Sequence, residues 1–293
     1  MRILITGACG MLGVDLVNEL AEQHELLLVD IKPLPSGISK SMQFIKIDIT
    51  DGSGFFKKAT SINPDIVIHT AAYTDVDGSE SNADTAFRVN AIGTRNVALA
   101  CQRFDTVMLY ISTDYVFNGE KKEPYTELDS PDPRSVYGKS KYWGELYVQQ
   151  LLNKFYIVRT SGVFGKNGKN FVSTIIDSAR KGKGLRVVND QFTAPTYTSD
   201  LAGAIKKLIN TDQYGIWHVT NGGSCSWCEF AEEIIKNINI KTSIEAISTE
   251  AINRPAKRPE YSVLDNYLWR LQGFTPLRNW KNSLKEFIEK ESL

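Results

Sequence analysis

A tyrosine and a lysine stand four residues apart in the segment SVYGKSK, as Tyr137 and Lys141. Four residues make about one helical turn, so both side chains leave the same face if this segment opens a helix. A phenol with an ordinary pKa of about 10 is a poor acid–base catalyst near neutrality, but an ammonium close to it favours the phenolate and lowers that pKa. The pair could therefore act on one substrate. Two ordinary surface residues would have the same spacing, so the rest of the chain must decide.

The elements that could position this pair follow a regular order along the chain. Short apolar runs alternate with longer amphipathic segments, which is the pattern of βαβ units in a mostly parallel sheet. Strands are predicted at 3–5, 26–29, 44–47, 66–68, 107–111 and 156–158, and helices at about 11–23, 51–62, 79–103 and 135–153. Beyond residue 159 the rhythm changes, with helices predicted at 171–182, 199–210 and 279–291 and a further strand in GIWHVTN.

Composition narrows the class of protein. Of the 293 residues, 42% are hydrophobic and 23% charged, as in ordinary globular proteins, and 34 basic residues balance 34 acidic ones. No basic stripe predicts nucleic acid or an anionic membrane surface as a partner. The start MRILITG leaves no room for a signal peptide, and no apolar run approaches the ~20 residues of a membrane span. We therefore expect a cytoplasmic protein that does not enter membranes.

A glycine-rich turn follows the first predicted strand in TGACGMLGVDL, with Gly7, Gly10 and Gly13 at GxxGxxG spacing. Such glycines allow a tight turn and close approach of a pyrophosphate, which the following helix N-terminus attracts. The second strand ends in Asp30, which could bind the ribose hydroxyls of NADH, while nearby Lys32 could admit the 2′-phosphate of NADPH. The turn therefore predicts a dinucleotide site.

These patterns together predict an α/β fold with a Rossmann-type, doubly wound parallel sheet and a smaller, interleaved C-terminal substrate domain. Residues 1–160, with returning segments at about 180–220, are assigned to NAD(P) binding, and 161–293 mainly to substrate binding. In such sheets ligands lie beyond the carboxyl ends of the strands. The residues expected to bind the cofactor are Gly7, Gly10, Met11, Leu12, Gly13, Asp30, Lys32, Asp48, Ile49, Ala71, Ala72, Tyr73, Tyr137 and Lys141.

Two other groups of residues are assigned to structure. Cys225 and Cys228 in CSWC could suggest zinc or a redox dithiol, but no further ligand set or thioredoxin-like strand accompanies them. Ser226 and Glu229 have capping-box spacing and predict a helix start there. The four cysteines are too few for a disulfide scaffold and indicate a reducing compartment. His69, alone in an apolar run, is expected to be a packed strand residue.

On a nucleotide-binding chain, Thr113, Tyr137 and Lys141 resemble the catalytic Ser/Thr, Tyr and Lys of the short-chain dehydrogenase/reductase family, in its extended branch that acts on nucleotide sugars. The segment VNAIGTRNVALAC resembles the central helix of that branch. The resemblance implies that Tyr137 gives its proton to a ketone oxygen as hydride reaches the carbon. Thr113 would orient that oxygen, and Lys141 would hold the nicotinamide ribose.

Within this branch, LITGACGMLG, AAYTDVDGSE, ISTDYVFNGE, YGKSKYWGE, VRTSGVFG, DQFTAPTY, CSWCEFA and RPEYSVLDN are similar to the dTDP-4-dehydrorhamnose reductase family over nearly the whole chain. The resemblance implies reduction of the 4-keto group of dTDP-6-deoxy-L-lyxo-4-hexulose to dTDP-L-rhamnose, with NADPH or NADH, for cell-surface polysaccharides. It also admits Mg²⁺ and a monomer or homodimer. The residues implied to bind the nucleotide-sugar substrate are Thr74, Val76, Thr113, Asp114, Tyr137, Asn170 and Arg254.

The chain departs from the family pattern at three positions. Gly162 stands where a tryptophan is usual, Thr193 replaces a glycine, and Cys228 replaces an aromatic residue. The first of these removes a large aromatic surface from the expected sugar pocket. None of the three touches the catalytic residues, so the departures bear on the identity of the sugar and not on reduction.

Two alternatives stay open on the sequence. An epimerase or a 4,6-dehydratase of the same branch is the nearer one, although a dehydratase would need a second carboxylate where Tyr115 follows Asp114. A non-catalytic subunit with this fold, like the regulatory subunit of methionine adenosyltransferase, is the other. Such a scaffold would have no chemical need for Tyr137 and Lys141.

Overall fold

The computed structural model describes residues 1–39, 42–182 and 184–291. The strands are β1 (Arg2–Thr6), β2 (Glu25–Asp30), β3 (Gln43–Lys46), β4 (Ile66–His69), β5 (Val107–Thr113), β6 (Phe155–Thr160), β7 (Val163–Phe164), β8 (Leu185–Val188), β9 (Phe192–Thr193), β10 (Thr196–Tyr197), β11 (Gly215–His218), β12 (Cys225–Ser226) and β13 (Ile244–Ile247). The helices are α1 (Met11–Leu20), α2 (Gly52–Ile62), α3 (Val76–Ser81), α4 (Ala83–Phe87), α5 (Thr94–Phe104), α6 (Val136–Leu151), α7 (Phe171–Arg180), α8 (Thr198–Leu208), α9 (Trp227–Ile238), α10 (Tyr267–Leu271) and α11 (Trp280–Lys290).

A seven-stranded parallel sheet carries the fold, in the order β11-β6-β5-β4-β1-β2-β3. The order reverses between β1 and β4, and in doubly wound sheets that reversal opens a ligand crevice at the carboxyl ends of the strands. All six predicted apolar runs and the strand in GIWHVTN lie in this sheet. The predicted α/β, Rossmann-type fold is confirmed.

Helices cover both faces of the sheet and bury an apolar core on each. One core includes Leu16 of α1, Leu201 of α8 and Trp217 of β11. The other includes Phe55 of α2 and Val148 of α6. Because both faces are covered, the middle of each central strand is a continuous apolar run and does not alternate between apolar and polar residues. None of the described helices is long and apolar enough to cross a membrane.

The single helix predicted at 79–103 is wrong, because this stretch forms α3, α4, a π-helical segment at Arg88–Gly93 and α5. The first break falls at Asn82, whose backbone leaves the helical region (φ −129°, ψ 51°). In the π-helical segment, Asn90 turns its side chain out to the loop after β4, while the Thr94 hydroxyl donates to the Asn90 carbonyl oxygen at 2.7 Å. Such π-bulges are frequent at functional sites.

The C-terminal half has its own apolar core, which includes Phe164, Ile176, Phe230, Trp280 and Phe287. The chain also returns to the first half, because α8 packs on α1 and β11 extends the large sheet. This arrangement supports the interleaved domains expected from the sequence. The boundary at residue 160 stays a prediction, and the final two residues of the range 161–293 lie outside the described residues.

Candidate active site

The start of α6 brings the Tyr137–Lys141 pair to the carboxyl end of β5. Ser135 caps the helix, and its side-chain oxygen accepts the Gly138 backbone N–H at 3.1 Å. A Cβ on Gly138 would lie 2.2 Å from the Tyr115 carbonyl oxygen, so only glycine lets the helix start approach the β5 loop this closely. The predicted helix is confirmed, and it places both side chains within one turn.

Thr113 and Tyr137 meet where β5 ends. The Thr113 hydroxyl is hydrogen bonded to the Tyr137 phenol, accepts the Tyr115 N–H at 3.2 Å and lies 3.0 Å from Asp114 Oδ1. The Tyr115 ring packs edge-on against the Tyr137 ring, with centroids 5.8 Å apart. The two hydroxyls expected to act on one substrate oxygen are therefore neighbours, held by the backbone and by an aromatic contact.

Burial raises the pKa of Tyr137 to about 12; the Thr113 hydrogen bond lowers it and the Asp114 carboxylate raises it. The prediction that Lys141 lowers the Tyr137 pKa below its ordinary value is therefore wrong in this structure. A sequence shows that an ammonium stands one turn away, but it does not show how far burial opposes ionisation of the phenol. Tyr137 consequently retains its proton at neutral pH.

The Lys141 ammonium lies beneath the site and is only 3% exposed. It donates to the Ile111 carbonyl oxygen at 2.7 Å and stands over the Tyr110 ring, 4.2 Å from its centroid. Burial lowers the pKa of Lys141 to about 7, and the Glu145 carboxylate opposes that shift. Near neutral pH this lysine is therefore close to the point at which it loses its charge.

Asp114 adds a second buried acid next to the two hydroxyls. Its carboxyl is hydrogen bonded to Thr113 and to Ser262 of the C-terminal segment. Burial raises the pKa of Asp114 to about 7, and these hydrogen bonds oppose the shift. Ser262 of the C-terminal segment therefore lies beside the end of β5.

The glycine turn after β1 fits a dinucleotide. Gly7 has a left-handed backbone (φ +70°), and a Cβ there would lie 2.6 Å from the Ala71 backbone nitrogen. A Cβ on Gly13 would lie 2.2 Å from the Gly7 carbonyl oxygen, so the turn and α1 pack at backbone distance. Gly10 caps α1 without a side-chain hydrogen bond, which leaves the first-turn N–H groups of Met11 and Leu12 to attract an anion.

Asp30 and Lys32 lie beside this turn, as predicted. Asp30 accepts the backbone N–H groups of Cys9 and Lys32, one on each carboxylate oxygen and both at 2.9 Å. The Lys32 residue is exposed to solvent. The acid is thus fixed against the glycine turn, while the lysine side chain is accessible to a ligand at the same edge.

The loops after β3 and β4 contain the remaining predicted cofactor residues. Asp48 is exposed, and buried Ile49 is tied to α5 through a 3.0 Å hydrogen bond from Asn96 to its carbonyl oxygen. Ala71 packs on Gly7, and Ala72 and Tyr73 follow along the sheet edge. The structure brings the Ala71–Tyr73 loop to the glycine turn.

Asn90 is a residue that the sequence interpretation missed. Its side-chain oxygen accepts the Tyr73 N–H at 2.8 Å, and its amide donates to the Tyr73 carbonyl oxygen and to the Ser140 hydroxyl, both at 3.0 Å. Asn90 therefore joins the cofactor loop to the helix that contains Tyr137. A lone polar residue in the otherwise small and apolar stretch VNAIG was the available signal.

Arg254 lies at the same end of the sheet as Val76. Its guanidinium is close to Asp77, which follows Val76 in α3. An Arg254 guanidinium nitrogen is 3.7 Å from the Asp77 carboxylate, and the side chain is half exposed. Arg258, which was not predicted, forms two hydrogen bonds to Asp77 at 2.8 and 2.9 Å and a further one to the Tyr115 side chain. A chain of contacts thus links this basic pair to the ring that packs on Tyr137. Exposed Thr74 stands just before α3.

Asn170 has a structural function at the start of α7. Its side-chain oxygen accepts the Ser173 N–H at 3.0 Å, and its amide donates to the Gly165 carbonyl oxygen at 2.8 Å. The same amide lies 3.5 Å from the sulfur of Met11, so the residue borders the glycine turn. Its predicted contact with substrate stays a prediction.

Two of the departures from the family pattern lie side by side. Gly162 has φ +54°, and a Cβ there would lie 3.3 Å from the Thr193 hydroxyl and 3.0 Å from the Cα of Pro195. The Thr193 hydroxyl is buried and has no hydrogen-bond partner in the described part of the chain. Thr193 therefore lies against the space that a side chain at position 162 would enter, and the two differences meet at one place.

Two other expectations concern metals and histidine. Among the described residues, no group of three or more histidine, cysteine, aspartate or glutamate side chains could hold a metal ion, so the Mg²⁺ admitted by the resemblance has no support. Cys225 and Cys228 are buried free thiols, and the predicted Ser226–Glu229 capping box is present. His69 is completely buried between the hydroxyls of Thr6 and Thr94, as expected of a packed strand residue.

Comparison with known proteins agrees with this geometry. A family model described as "RmlD substrate binding domain" matches residues 1–293. The chain is 38% identical to the spore coat polysaccharide biosynthesis protein SpsK of Bacillus subtilis over 99% of this chain and 98% of that protein. It is 37% identical to dTDP-4-dehydrorhamnose reductase of Streptomyces griseus, over 97% of this chain and 92% of that one. The solved structure of dTDP-4-dehydrorhamnose reductase from Bacillus anthracis in complex with NADP is 43% identical, with a TM-score of 0.92 and 99% of both chains covered.

Proposed function

The chain belongs to the RmlD substrate binding domain family, and from that premise we propose that it reduces dTDP-4-dehydrorhamnose to dTDP-L-rhamnose with NADPH. The product would enter cell-surface polysaccharide synthesis. The observation that carries this proposal is the contact between the Thr113 and Tyr137 hydroxyls at the end of β5, with Lys141 buried below them. A ketone oxygen placed between the two hydroxyls would have a proton donor and an orienting group at once.

The chemistry of these residues matches ketone reduction. NADPH, when bound, supplies the hydride. Tyr137 gives its phenolic proton to the 4-keto oxygen as the carbon is reduced, and a pKa near 12 ensures that this proton is present at neutral pH. Thr113 holds the oxygen in line with the phenol, because its side-chain hydroxyl is itself fixed by the hydrogen bond that it accepts from the Tyr115 N–H. Lys141, when it is charged, would stabilise the phenolate that is left, as an opposite charge favours the ionised form.

The residues around the glycine turn would hold the cofactor. The uncapped N-terminus of α1 suits the pyrophosphate, and Gly7 and Gly13 leave the backbone accessible to it. Exposed Lys32 beside Asp30 favours a 2′-phosphate, and the 43% identical B. anthracis enzyme binds NADP. We therefore expect a higher kcat/KM for NADPH than for NADH, and a Lys32→Ala variant that loses much of this preference.

The substrate would lie between the sheet edge and the C-terminal segment. Arg254 is exposed enough to reach a diphosphate, and Thr74 and Val76 lie at the same end of the sheet. The Gly162 and Thr193 pair alters the expected sugar pocket, which favours a second candidate: reduction of another 4-keto dTDP sugar.

An NAD(P)H oxidation assay against a panel of 4-keto nucleotide sugars tests the proposal. The expected result is oxidation of NADPH with dTDP-4-dehydrorhamnose as the preferred substrate, and dTDP-L-rhamnose as the product identified by mass spectrometry and NMR. A preference for a different 4-keto sugar would select the second candidate. NAD retained on the purified protein, with no consumption of added NADPH or NADH on any sugar, would favour an epimerase and contradict the proposal.

A further inference from the structure

The helix face that contains Tyr137 and Lys141 continues one turn further to Glu145. This carboxylate is completely buried, as is the Arg159 side chain of β6 that meets it. Arg159 Nε donates to Glu145 Oε1 at 3.0 Å, and Nη2 donates to Oε2 at 2.7 Å. The Ser112 hydroxyl donates to Oε1 at 2.5 Å. A fully desolvated ion pair thus lies one helical turn beyond the catalytic lysine and is bound to Ser112 of β5.

Stability does not explain this pair. A buried ion pair commonly stabilises a fold no more than well-packed apolar residues of similar volume, because desolvation offsets the attraction. Here the pair also leaves one guanidinium nitrogen, Nη1 of Arg159, without a hydrogen-bond partner in the described part of the chain. A function in the neighbouring active site explains why Glu145 and Arg159 stand at positions where core packing alone would favour apolar residues.

The residues around Lys141 show which charges act on its ammonium. On β5, the Tyr110 ring lies under the ammonium, and the Tyr110 hydroxyl donates to the Lys141 carbonyl oxygen at 3.2 Å. On β4, His69 stacks on Tyr110, and burial lowers its pKa to about 3, so this histidine is neutral. Arg159 is cationic. Glu145 is therefore the anion of this set, and it raises the Lys141 pKa against the effect of burial.

We propose that the Glu145–Arg159 pair is a positioning element that acts through Lys141 and holds this lysine in its charged form. Arg159 orients the carboxylate in two hydrogen bonds, and the carboxylate in turn stabilises the ammonium. This inference rests on the proposed function only where turnover is measured, because the charge on Lys141 can be measured without a substrate.

Glu145→Gln removes the negative charge while nearly preserving the size of the side chain. The Lys141 pKa should then fall by about one unit or more, since an opposite charge within a helical turn is lost and Arg159 is left unopposed. Because the ammonium exists below its pKa, a lower pKa moves the loss of charge to lower pH. The alkaline limb of the kcat/KM profile should move to lower pH by the same amount.

Glu145→Gln could fail to fold, because it leaves a buried charge unpaired. Glu145→Gln/Arg159→Met removes both charges and restores an apolar interior. It should fold and still show a lowered Lys141 pKa. The matched control is Glu127→Gln: Glu127 is also buried, accepts the His218 N–H at 2.9 Å and packs at β11, away from α6. It should leave the Lys141 titration unchanged.

The deciding measurement is an NMR titration of the Lys141 side chain in protein labelled with ¹³C at lysine Cε, assigned with a Lys141→Met variant. A shift to lower pH in both Glu145 variants but not in the control supports the proposal. An unshifted titration in a folded Glu145 variant, or in the double variant, overturns it. If no 4-keto sugar is turned over while the titration shifts, the proposed reaction fails and the positioning element stands.

Discussion

Two short motifs of this chain, YGKSK and CSWC, look equally capable of chemistry, yet the fold gives them different surroundings. Both open a helix behind a serine cap, Ser135 for α6 and Ser226 for α9. The first lies at the carboxyl edge of the large sheet, against Thr113 and Asp114. The second lies in the C-terminal core, near Phe230.

The difference shows that partners, and not residue type, determine whether a reactive side chain is used. At the sheet edge, the Thr113 hydroxyl lies next to the Tyr137 phenol, so both can bind the same substrate oxygen. The buried Lys141 ammonium lies below them. In the C-terminal core, burial and the Glu229 carboxylate raise the pKa of the Cys225 thiol to about 12, and the opposing effect of the Lys281 ammonium does not offset that shift. The thiol is thereby kept protonated and inert.

The largest difference in kcat between variants of the two motifs is expected when the reactive group of each motif is removed. Tyr137→Phe should lower kcat by about 10²–10⁴-fold, because the proton donor is lost. Cofactor affinity, measured by NADPH fluorescence, should change little. Cys228→Ala is the matched change in the other motif, and it should leave kcat within about twofold, since no step uses the thiol. Equal turnover of Tyr137→Phe and the native protein would remove the catalytic assignment.

Two of the lysines that stand over aromatic rings, Lys141 and Lys281, should differ next. Lys141→Met should lower kcat by about 10²-fold or more and weaken NADPH binding, because the buried ammonium serves both. Lys281 also stands over an aromatic ring, with its ammonium 5.5 Å from the centroid of Trp280. It is largely exposed and lies outside the candidate active site. Lys281→Met should leave both quantities unchanged. Steady-state kinetics and fluorescence titration of the two variants check this, and an inactive Lys281→Met would contradict the contrast.

Removal of either serine cap should lower the stability of the protein by a similar amount, but the two substitutions should affect activity differently. Ser135→Ala and Ser226→Ala should each lower the free energy of unfolding by about 1 kcal/mol. The bond that Glu229 accepts from the backbone N–H of residue 226, at 2.7 Å, is retained in Ser226→Ala. Only Ser135→Ala should reduce kcat, since it loosens the turn that holds Tyr137. Urea unfolding and kinetics measure the two effects, and reduced kcat in Ser226→Ala would break the comparison.

The smallest expected effect is the reactivity of the thiols near pH 8. Because the pKa of Cys225 is raised, its thiolate is scarce below that pKa and increases only as pH rises towards about 12. Iodoacetamide should therefore label Cys225 and Cys228 slowly in the folded protein and rapidly in guanidinium. Rapid labelling of the folded protein, followed by mass spectrometry, would indicate a reactive dithiol.

The sequence was sufficient for the large sheet because its strands are continuous apolar runs separated by amphipathic segments. It was insufficient for β7, β9, β10 and β12, which are two-residue strands with no periodicity of their own. The long helix at 79–103 was divided by local effects, at Asn82 and Asn90, where side chains compete with the helical backbone. The two-residue strands and the tertiary bonds of Asn90 to Tyr73 and Ser140 depend on contacts between distant parts of the chain, which a sequence pattern does not show.

The candidate active site also contains features that the sequence predicted and features that it did not. Thr113, Tyr137 and Lys141 were predictable because their types and order carry chemistry. The raised pKa of Tyr137 and the ion pair under Lys141 depend on burial, which spacing alone does not reveal. Arg258 was hidden for another reason: its partner Asp77 is 181 residues away along the chain.

A crystal structure of the protein with NADP⁺ and dTDP tests the central claim most directly. The phenol of Tyr137 and the hydroxyl of Thr113 should face the nicotinamide ring across a space that admits a hexose, with the Lys141 ammonium on the ribose side. A phenol turned away from the ring, or a ring packed against it with no room for a sugar, would contradict the proposed reduction.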